Sequence, residues 1–205
     1  MTMSSERPDG RAGEAPWLLA RFAQGAIALA AAVEVYRGVT VRAHHVDPAG
    51  TPSSTSGFAS MVSVYATTAA AALFLTWQHR ARRNARALSP GTDLGNDVWA
   101  VAGWLIPVVN FWVPRGLLLG TLRASAPTGD RRGESLVNAW WVAWAVHIAI
   151  GVVGRNSDSL PLLATSQVLN ITAAALILWL IQRITSVQGE ALEAVRGAPQ
   201  GTPAV

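Results

Sequence analysis

Long apolar runs separated by short polar stretches organise this chain. Phe58 to Trp77, Leu136 to Gly154 and Leu160 to Ile181 carry no Asp, Glu, Lys or Arg. Each is long enough, or nearly so, to cross ~30 Å of hydrocarbon at ~1.5 Å per helical residue. Trp17 to Tyr36 is a weaker run, with Arg21 and Glu34 near its ends; there, long side chains reach back to the interface. The pattern predicts spans over 17–36, 58–77, 136–154 and 160–181. A fifth run, 98–120, is interrupted by two prolines.

The interruption reads Trp104-Leu-Ile-Pro107-Val-Val-Asn110-Phe-Trp-Val-Pro114. Each proline lacks an N–H, and its ring collides with the carbonyl four residues earlier, on Gly103 and Asn110. Ile106 and Val113 are pushed from helical geometry by the prolines that follow them. A break exposed to lipid would leave backbone groups unpaired at several kcal/mol each, so this one must be buried in protein or lie near water. Asn110 is read as the cap of the helix that follows, its side chain accepting from the N–H of Trp112 or Val113. The alternative is a polar pocket lined by Asn110, as at discontinuous transporter helices.

Arginine placement bears on whether this segment crosses. The loop after the second run holds Arg80, Arg82, Arg83 and Arg86, which predicts a cytoplasmic location for residues 79–97 and for the N-terminus. If segment 98–120 enters and returns, or lies along the interface, only Arg37, Arg42 and Arg155 face outside. If it crosses, the arginines divide almost evenly and the bias disappears. The expectation is four transmembrane helices plus a proline-broken re-entrant or interfacial segment, in an all-α polytopic fold; five spans is the alternative. Trp17, Trp77, Trp99, Trp140, Trp141 and Trp179 then fall near the inner boundary, as an aromatic belt would.

Trp77-Gln-His-Arg80-Ala-Arg-Arg-Asn84-Ala-Arg86 continues the second helix into a basic stem. Trp77, Arg80 and Asn84 share a helical face. The stem serves as a topology anchor touching anionic headgroups. In a sharper reading, Arg80 and Asn84 also bond the broken segment and lock its position. Ser89-Pro-Gly-Thr marks a turn after the stem.

Taken together, Phe74-Leu-Thr-Trp77-Gln-His-Arg80-Ala-Arg-Arg-Asn84, then Trp99-Ala-Val-Ala-Gly-Trp104-Leu-Ile-Pro107-Val-Val-Asn110-Phe-Trp-Val-Pro114, then Trp140-Trp141 resemble a known family. It is that of bacterial membrane proteins grouped as domain of unknown function 4328, over roughly residues 58–150. The resemblance implies a small multi-span protein of an actinobacterial plasma membrane. Its hallmark positions here are Trp77, Arg80, Asn84, Trp104, Pro107, Asn110 and Pro114. It implies no known activity.

Composition narrows the chemistry. The chain is 51% hydrophobic and 14% charged, so a membrane rather than water is the solvent for most of its surface. It has no cysteine, which excludes disulfides, thiolate metal sites and cysteine nucleophiles. The net charge of +4 comes from arginine alone, set at the ends of apolar runs rather than on one face, so nucleic acid is not an expected partner. No nucleophile elbow, phosphate loop, zinc-protease motif or paired intramembrane carboxylate is present, and no catalytic residue, metal or cofactor is expected.

His147 is the intramembrane polar candidate, sharing a face with Trp140, Trp144 and Gly151. An interhelical hydrogen bond is its structural reading and a ligand or proton contact its functional one. Gln167 and Asn170 are read as packing contacts, and Glu34 is expected to pair with Arg37 one turn later. His44, His45 and Asp47 are read as a solvated loop rather than a metal site.

The expected organisation is a disordered cytoplasmic N-terminus (1–15), one helical membrane domain (16–187) and a flexible tail (188–205). The expected function is a non-catalytic scaffold or regulatory membrane module, with the bilayer and a membrane-protein partner or second copy as its contacts. A small transporter or channel component with a polar site at the Pro107–Pro114 break is the alternative.

Overall fold

The computed structural model describes residues 14–96, 98, 102–104, 106, 109–126, 128–154 and 159–197. Five helices account for most of them: α1 (Trp17–Val46), α2 (Ser53–Leu88), α3 (Val113–Ser125), α4 (Arg131–Val153) and α5 (Leu160–Gly197). Four of them, α1, α2, α4 and α5, are long and apolar enough to cross a membrane. At 36 and 38 residues, α2 and α5 are far longer than the ~20 residues a bilayer needs, so both project well beyond it.

Two antiparallel hairpins, α1–α2 and α4–α5, lie side by side through α1 and α5. The short α3 wedges against α2, α4 and α5. One end of the bundle collects the basic stem, the start of α4 and the end of α5; it is called the stem end here, and the opposite end the cleft end. The first turn of α1 also lies at the stem end, where the Trp17 ring approaches Gly189.

Segment 89–130 enters the bundle from the stem end and returns to it. Leu94 lies beside Arg82 of the stem. Trp104 reaches Phe74 and Trp140, and Phe111 reaches Trp144, near the middle of α4. The chain then turns back along α3 until Ser125 meets Gln188 and Ala124 meets Ser89. Among the described residues both ends of this segment thus lie at the stem end, as a re-entrant segment requires, and four helices are long and apolar enough to span a membrane.

The turn between the two limbs is a short 3-10 turn at Val109–Phe111. Pro114 is buried in the first turn of α3, where a missing N–H is tolerated because it has no intrahelical partner. The limbs nearly touch: a Cβ on Gly103 would come within 2.9 Å of Val113 Cβ, and closer to one of its methyls. Only glycine allows that approach. Asp130 starts α4 by accepting from the N–H of Gly133 at 3.0 Å.

Two boundaries differ from expectation. The first helix runs to Val46 instead of ending near 36, so His44 and His45 belong to its last turn. Residues 188–197, expected in a flexible tail, are instead helical, because α5 continues to Gly197 with Gln188 and Leu192 buried against the bundle. The apolar pattern located membrane-length runs but not the helical extensions that project past them. The N-terminal expectation for residues 1–13, together with Trp99, Pro107, Arg155 and residues 198–205, lies outside the described residues.

Candidate functional site

The re-entrant segment is held from several sides at the stem end. Trp77 is fully buried, and its indole N–H donates to Thr185 Oγ1 at 3.1 Å, joining α2 to α5. Gln188 Nε2 donates to the carbonyl of Ala81 at 2.7 Å and to Ser125 Oγ at 2.9 Å, tying α2, α5 and the end of α3 at one point. Ser89 Oγ donates to the carbonyl of Ala124 at 2.9 Å.

Arginines of the stem hold the descending limb. Arg82, 1% exposed, donates to the carbonyl of Leu94, and Arg86 donates to the carbonyl of Gly95 at 2.9 Å. Gly95 has φ +70° and its N–H donates to Asp93 Oδ1, a tight turn that aims both carbonyls back at the stem. The expectation had assigned this task to Arg80 and Asn84. Arg80 instead stands exposed beside Glu14 and Glu193 in a shallow pocket, and Asn84 Nδ2 donates to the carbonyl of Glu14 at 3.2 Å. A helical turn of 3.6 residues explains the swap: Trp77, Ala81 and Asn84 face the buried side, and Arg82 and Arg86 follow the neighbouring face toward the loop.

The break itself is supported from α4. Trp141 Nε1 donates to the carbonyl of Phe111 at 2.6 Å, and Arg115 bonds Asn138 Oδ1 at 2.8 Å while lying over the Trp141 ring. Asn110 does not form the expected cap. The N–H of Trp112 donates to the carbonyl of Val109 at 3.0 Å, α3 has no side-chain cap, and Asn110 Oδ1 is buried without a partner. The 3-10 turn pairs the backbone locally, which leaves the Asn110 side chain without that task. Trp104 Nε1 and both amide atoms of Gln78 are also buried without partners.

An aromatic string crosses the bundle at this level. Trp77 meets Phe74, Phe74 meets Trp104 edge-on at 5.0 Å, Trp104 meets Trp140, Trp140 stacks on Trp144, and Trp144 meets Phe111 at 5.6 Å. It seals the stem half together with Leu118, Leu122, Ile177, Leu180, Ile181 and Ile184.

Toward the cleft end the bundle opens. A cleft of about 930 Å³ lies between α1, α4 and α5. Glu34 and Arg37 form a two-pronged ion pair in it, and Ser63 donates to Glu34 Oε2 at 2.7 Å. His147 Nδ1 lies 2.9 Å from the carbonyl of Ser166 and 3.1 Å from its hydroxyl, donating to the first or accepting from the second according to its tautomer. The Gln167 side chain lies against Gly38, where α1 and α5 meet without an intervening Cβ.

The cleft brings together His147, Glu34, Arg37 and Gln167, but its described lining includes neither Asn110 nor Asn170. Among the described residues, the cleft thus holds His147 but not Asn110 of the break. The grouping of Glu34 with His147 escaped sequence reasoning because they lie on different hairpins; the one available signal was that both interrupt apolar runs. Near the mouth, His44 Nδ1 bonds the carbonyl of Thr51 at 2.6 Å, and Asp47 accepts from the N–H of Gly50. Both thus serve the α1–α2 turn. Among the described residues, no three His, Cys, Asp or Glu side chains are grouped to hold a metal ion.

No curated protein and no solved structure matches this chain. A family model does match, over residues 41–186, a wider stretch than the 58–150 that carried the resemblance. It takes in the stem, the re-entrant segment, α4, most of α5 and the His147 side of the cleft. The chain belongs to the family described as Domain of unknown function (DUF4328).

Proposed function

We propose that this integral membrane protein is a non-catalytic scaffold or regulatory module, in which the re-entrant segment locks two helical hairpins into one unit. The observation that carries this reading is the closed stem half. Among the described residues, the aromatic string and the aliphatic cluster around Leu118 and Ile181 form a largely apolar layer between the cleft and the stem end. Trp112, Trp179, Phe58 and Tyr65 are well exposed and offer apolar surface to lipid, to a membrane-protein partner or to a second copy.

A bacterial plasma membrane with the stem end in the cytoplasm is part of the same proposal. Arg80, Arg83, Arg86, Arg123, Arg131, Arg132 and Arg196 lie at the stem end, whereas Arg37 and Arg42 lie toward the other. That distribution fits the positive-inside bias and contact with anionic headgroups. The chain has no cysteine, so one introduced at the exposed Thr128 is a clean probe. It should resist impermeant maleimide in intact cells and react once the cells are opened. Labelling from outside intact cells would overturn the orientation.

The scaffold reading is tested with a photo-crosslinking residue at Trp112 or Trp179. Defined adducts to a membrane protein or a second copy are expected, with vesicles containing the purified protein no more permeable to protons and small ions than empty ones. Lipid adducts alone, with raised permeability, would replace the scaffold with a transporter or channel component. That second reading is favoured by one observation: Asn110, Trp104 and Gln78 bury polar atoms without partners. A displaced segment or a passing polar solute would satisfy them.

A further inference from the structure

The cleft has a chemistry of its own, and the inference from it stands whether or not the protein carries a solute. Its walls carry apolar side chains alongside the polar ones, with Val41 on α1, Ile148 and Ile150 on α4, and Leu162 and Leu163 on α5. Its polar groups lie deep: Glu34 is twelve residues from the end of α1, ~18 Å along the axis, and His147 is six residues from the end of α4, ~9 Å. Both groups therefore lie below the mouth of the cleft, within the bundle rather than at the helix ends.

The charged groups of the cleft offer donors rather than acceptors, while Gln167 Oε1 is buried without a hydrogen-bond partner. Glu34 is the sole carboxylate among the described lining residues, and both its oxygens already accept, from Arg37 and from Ser63. Arg37 spends its Nε and Nη2 on Glu34, and a guanidinium carries five N–H bonds, so others remain for a ligand. In the tautomer in which His147 Nδ1 accepts from the Ser166 hydroxyl, Nε2 carries the hydrogen and is a donor. Arg42, His44 and His45 line the stretch nearer the end of α1. A cation would find its only carboxylate taken, whereas an anion would find a guanidinium and an imidazole.

The shape agrees with the charge. α1 and α4 flank the cleft without packing along each other. Gly151 and Val152 on the α4 wall are exposed, and a Cβ on Gly151 would meet nothing within 4 Å. The opening is therefore lateral as well as endwise, as a ligand arriving from the bilayer requires.

We propose that this cleft seats an anionic lipid, with a phosphate or carboxylate headgroup at Arg37 and His147 and an acyl chain along Val41, Ile148 and Leu163. Charge-assisted hydrogen bonds from arginine to such headgroups are the strong ones, and the apolar side chains of the walls take the chain.

The test is native mass spectrometry of the full chain in micelles doped with dioleoyl phosphatidylglycerol, dioleoyl phosphatidylcholine, oleate or inorganic phosphate. Phosphatidylglycerol should be retained about fivefold over phosphatidylcholine, the factor one arginine near a headgroup supplies. Competition by oleate would assign the site to any anionic chain, and failure to compete would assign it to phosphate headgroups; both keep the proposal. At Gly151 an added Cβ meets nothing within 4 Å, so Gly151→Leu places apolar bulk at the cleft wall and should abolish the retention. Gly25→Leu is the control, placed in equally open space on the stem half of α1. The pair Glu34→Gln with Arg37→Gln removes the charges together and should abolish only the preference for phosphatidylglycerol. Equal retention of the two phospholipids, unchanged retention in Gly151→Leu, or binding of inorganic phosphate without a chain would each overturn the proposal.

Discussion

At the stem end the buried residues include many large ones, Phe74, Trp77, Leu118, Leu122, Trp140, Ile177, Ile181 and Ile184, with alanines such as Ala81 and Ala85 between them. At the cleft end they are small or polar: Gly38, Thr40, Ala59, Ser63 and Ser166. Both ends belong to the same four long helices, so membrane helicity does not explain the contrast. The re-entrant segment does. It adds a third layer between the hairpins in the stem half only, and there it brings both apolar bulk and carbonyls for stem and α4 side chains to hold. The cleft half has no such filler, and its polar groups pair across a partly open space. Buried polarity thus has two meanings in one molecule. Gln188 and Thr185 fasten helices together, while Arg37 and His147 keep hydrogen-bonding capacity unspent.

The sharpest way to break the contrast is to pry the two limbs apart. A methyl at Gly103 would fall under 3.0 Å from Val113 with no flexible end to yield. Gly103→Ala should therefore lower stability by about 2 kcal/mol, within the usual range for forced overpacking. Unfolding in mild detergent with added denaturant measures it. Unchanged stability would mean that the limbs are not held together as described.

The next prediction asks which residue supports the break. Trp141→Phe keeps the aromatic bulk but leaves the Phe111 carbonyl without its donor, at about 1–3 kcal/mol if no other donor reaches it. Asn110→Leu removes a side chain whose oxygen has no partner, so it should be close to neutral or slightly stabilising. The reverse order of effects would restore Asn110 as the residue that makes the break tolerable.

That pair of variants marks where the sequence was legible. Apolar run length foretold four spans, because hydrocarbon thickness constrains length so tightly. Proline chemistry and arginine placement together foretold a segment that turns back. The partners were not legible. Trp141 and Phe111 are 30 residues apart, and Gln188 and Ala81 are 107 apart, and no local spacing rule links such positions. Asn110 misled because asparagine at a break matches a capping preference, whereas a 3-10 turn can pair the same backbone groups without help. The cleft was invisible as a unit because Glu34 and His147 lie on separate hairpins, each interpretable as a local contact.

In the cleft half the same kind of glycine should be more forgiving. A Cβ on Gly38 would press on the end of the Gln167 amide, with Cδ at 3.2 Å. A flexible side chain can swing aside, toward open space. Gly38→Ala should cost no more than about 1 kcal/mol, partly offset by the better helix propensity of alanine. A loss as large as that of Gly103→Ala would show that the two halves are equally tight.

The smallest effect concerns the edge of the stem half, where Asp130 both caps α4 and bonds Arg183 of α5 at 2.8 Å. The hydrogen bond from Arg183, then the N–H of Gly133, hold its carboxyl below the usual carboxylate range despite partial burial. A carboxylate with a depressed folded-state pKa adds stability above its unfolded pKa, and loses it as pH falls through the folded one. Stability should therefore decline on the acid side of the ordinary aspartate range. Asp130→Asn keeps the capping oxygen, since asparagine caps as well as aspartate, but removes the charge. It should cost at most about 1 kcal/mol at neutral pH, because Arg183 is 43% exposed and water screens the pair. It should also flatten the acid limb of the melting-temperature profile. An acid limb unchanged by Asp130→Asn would assign that limb to other carboxylates, and would leave Asp130 as a cap alone rather than a link between α4 and α5.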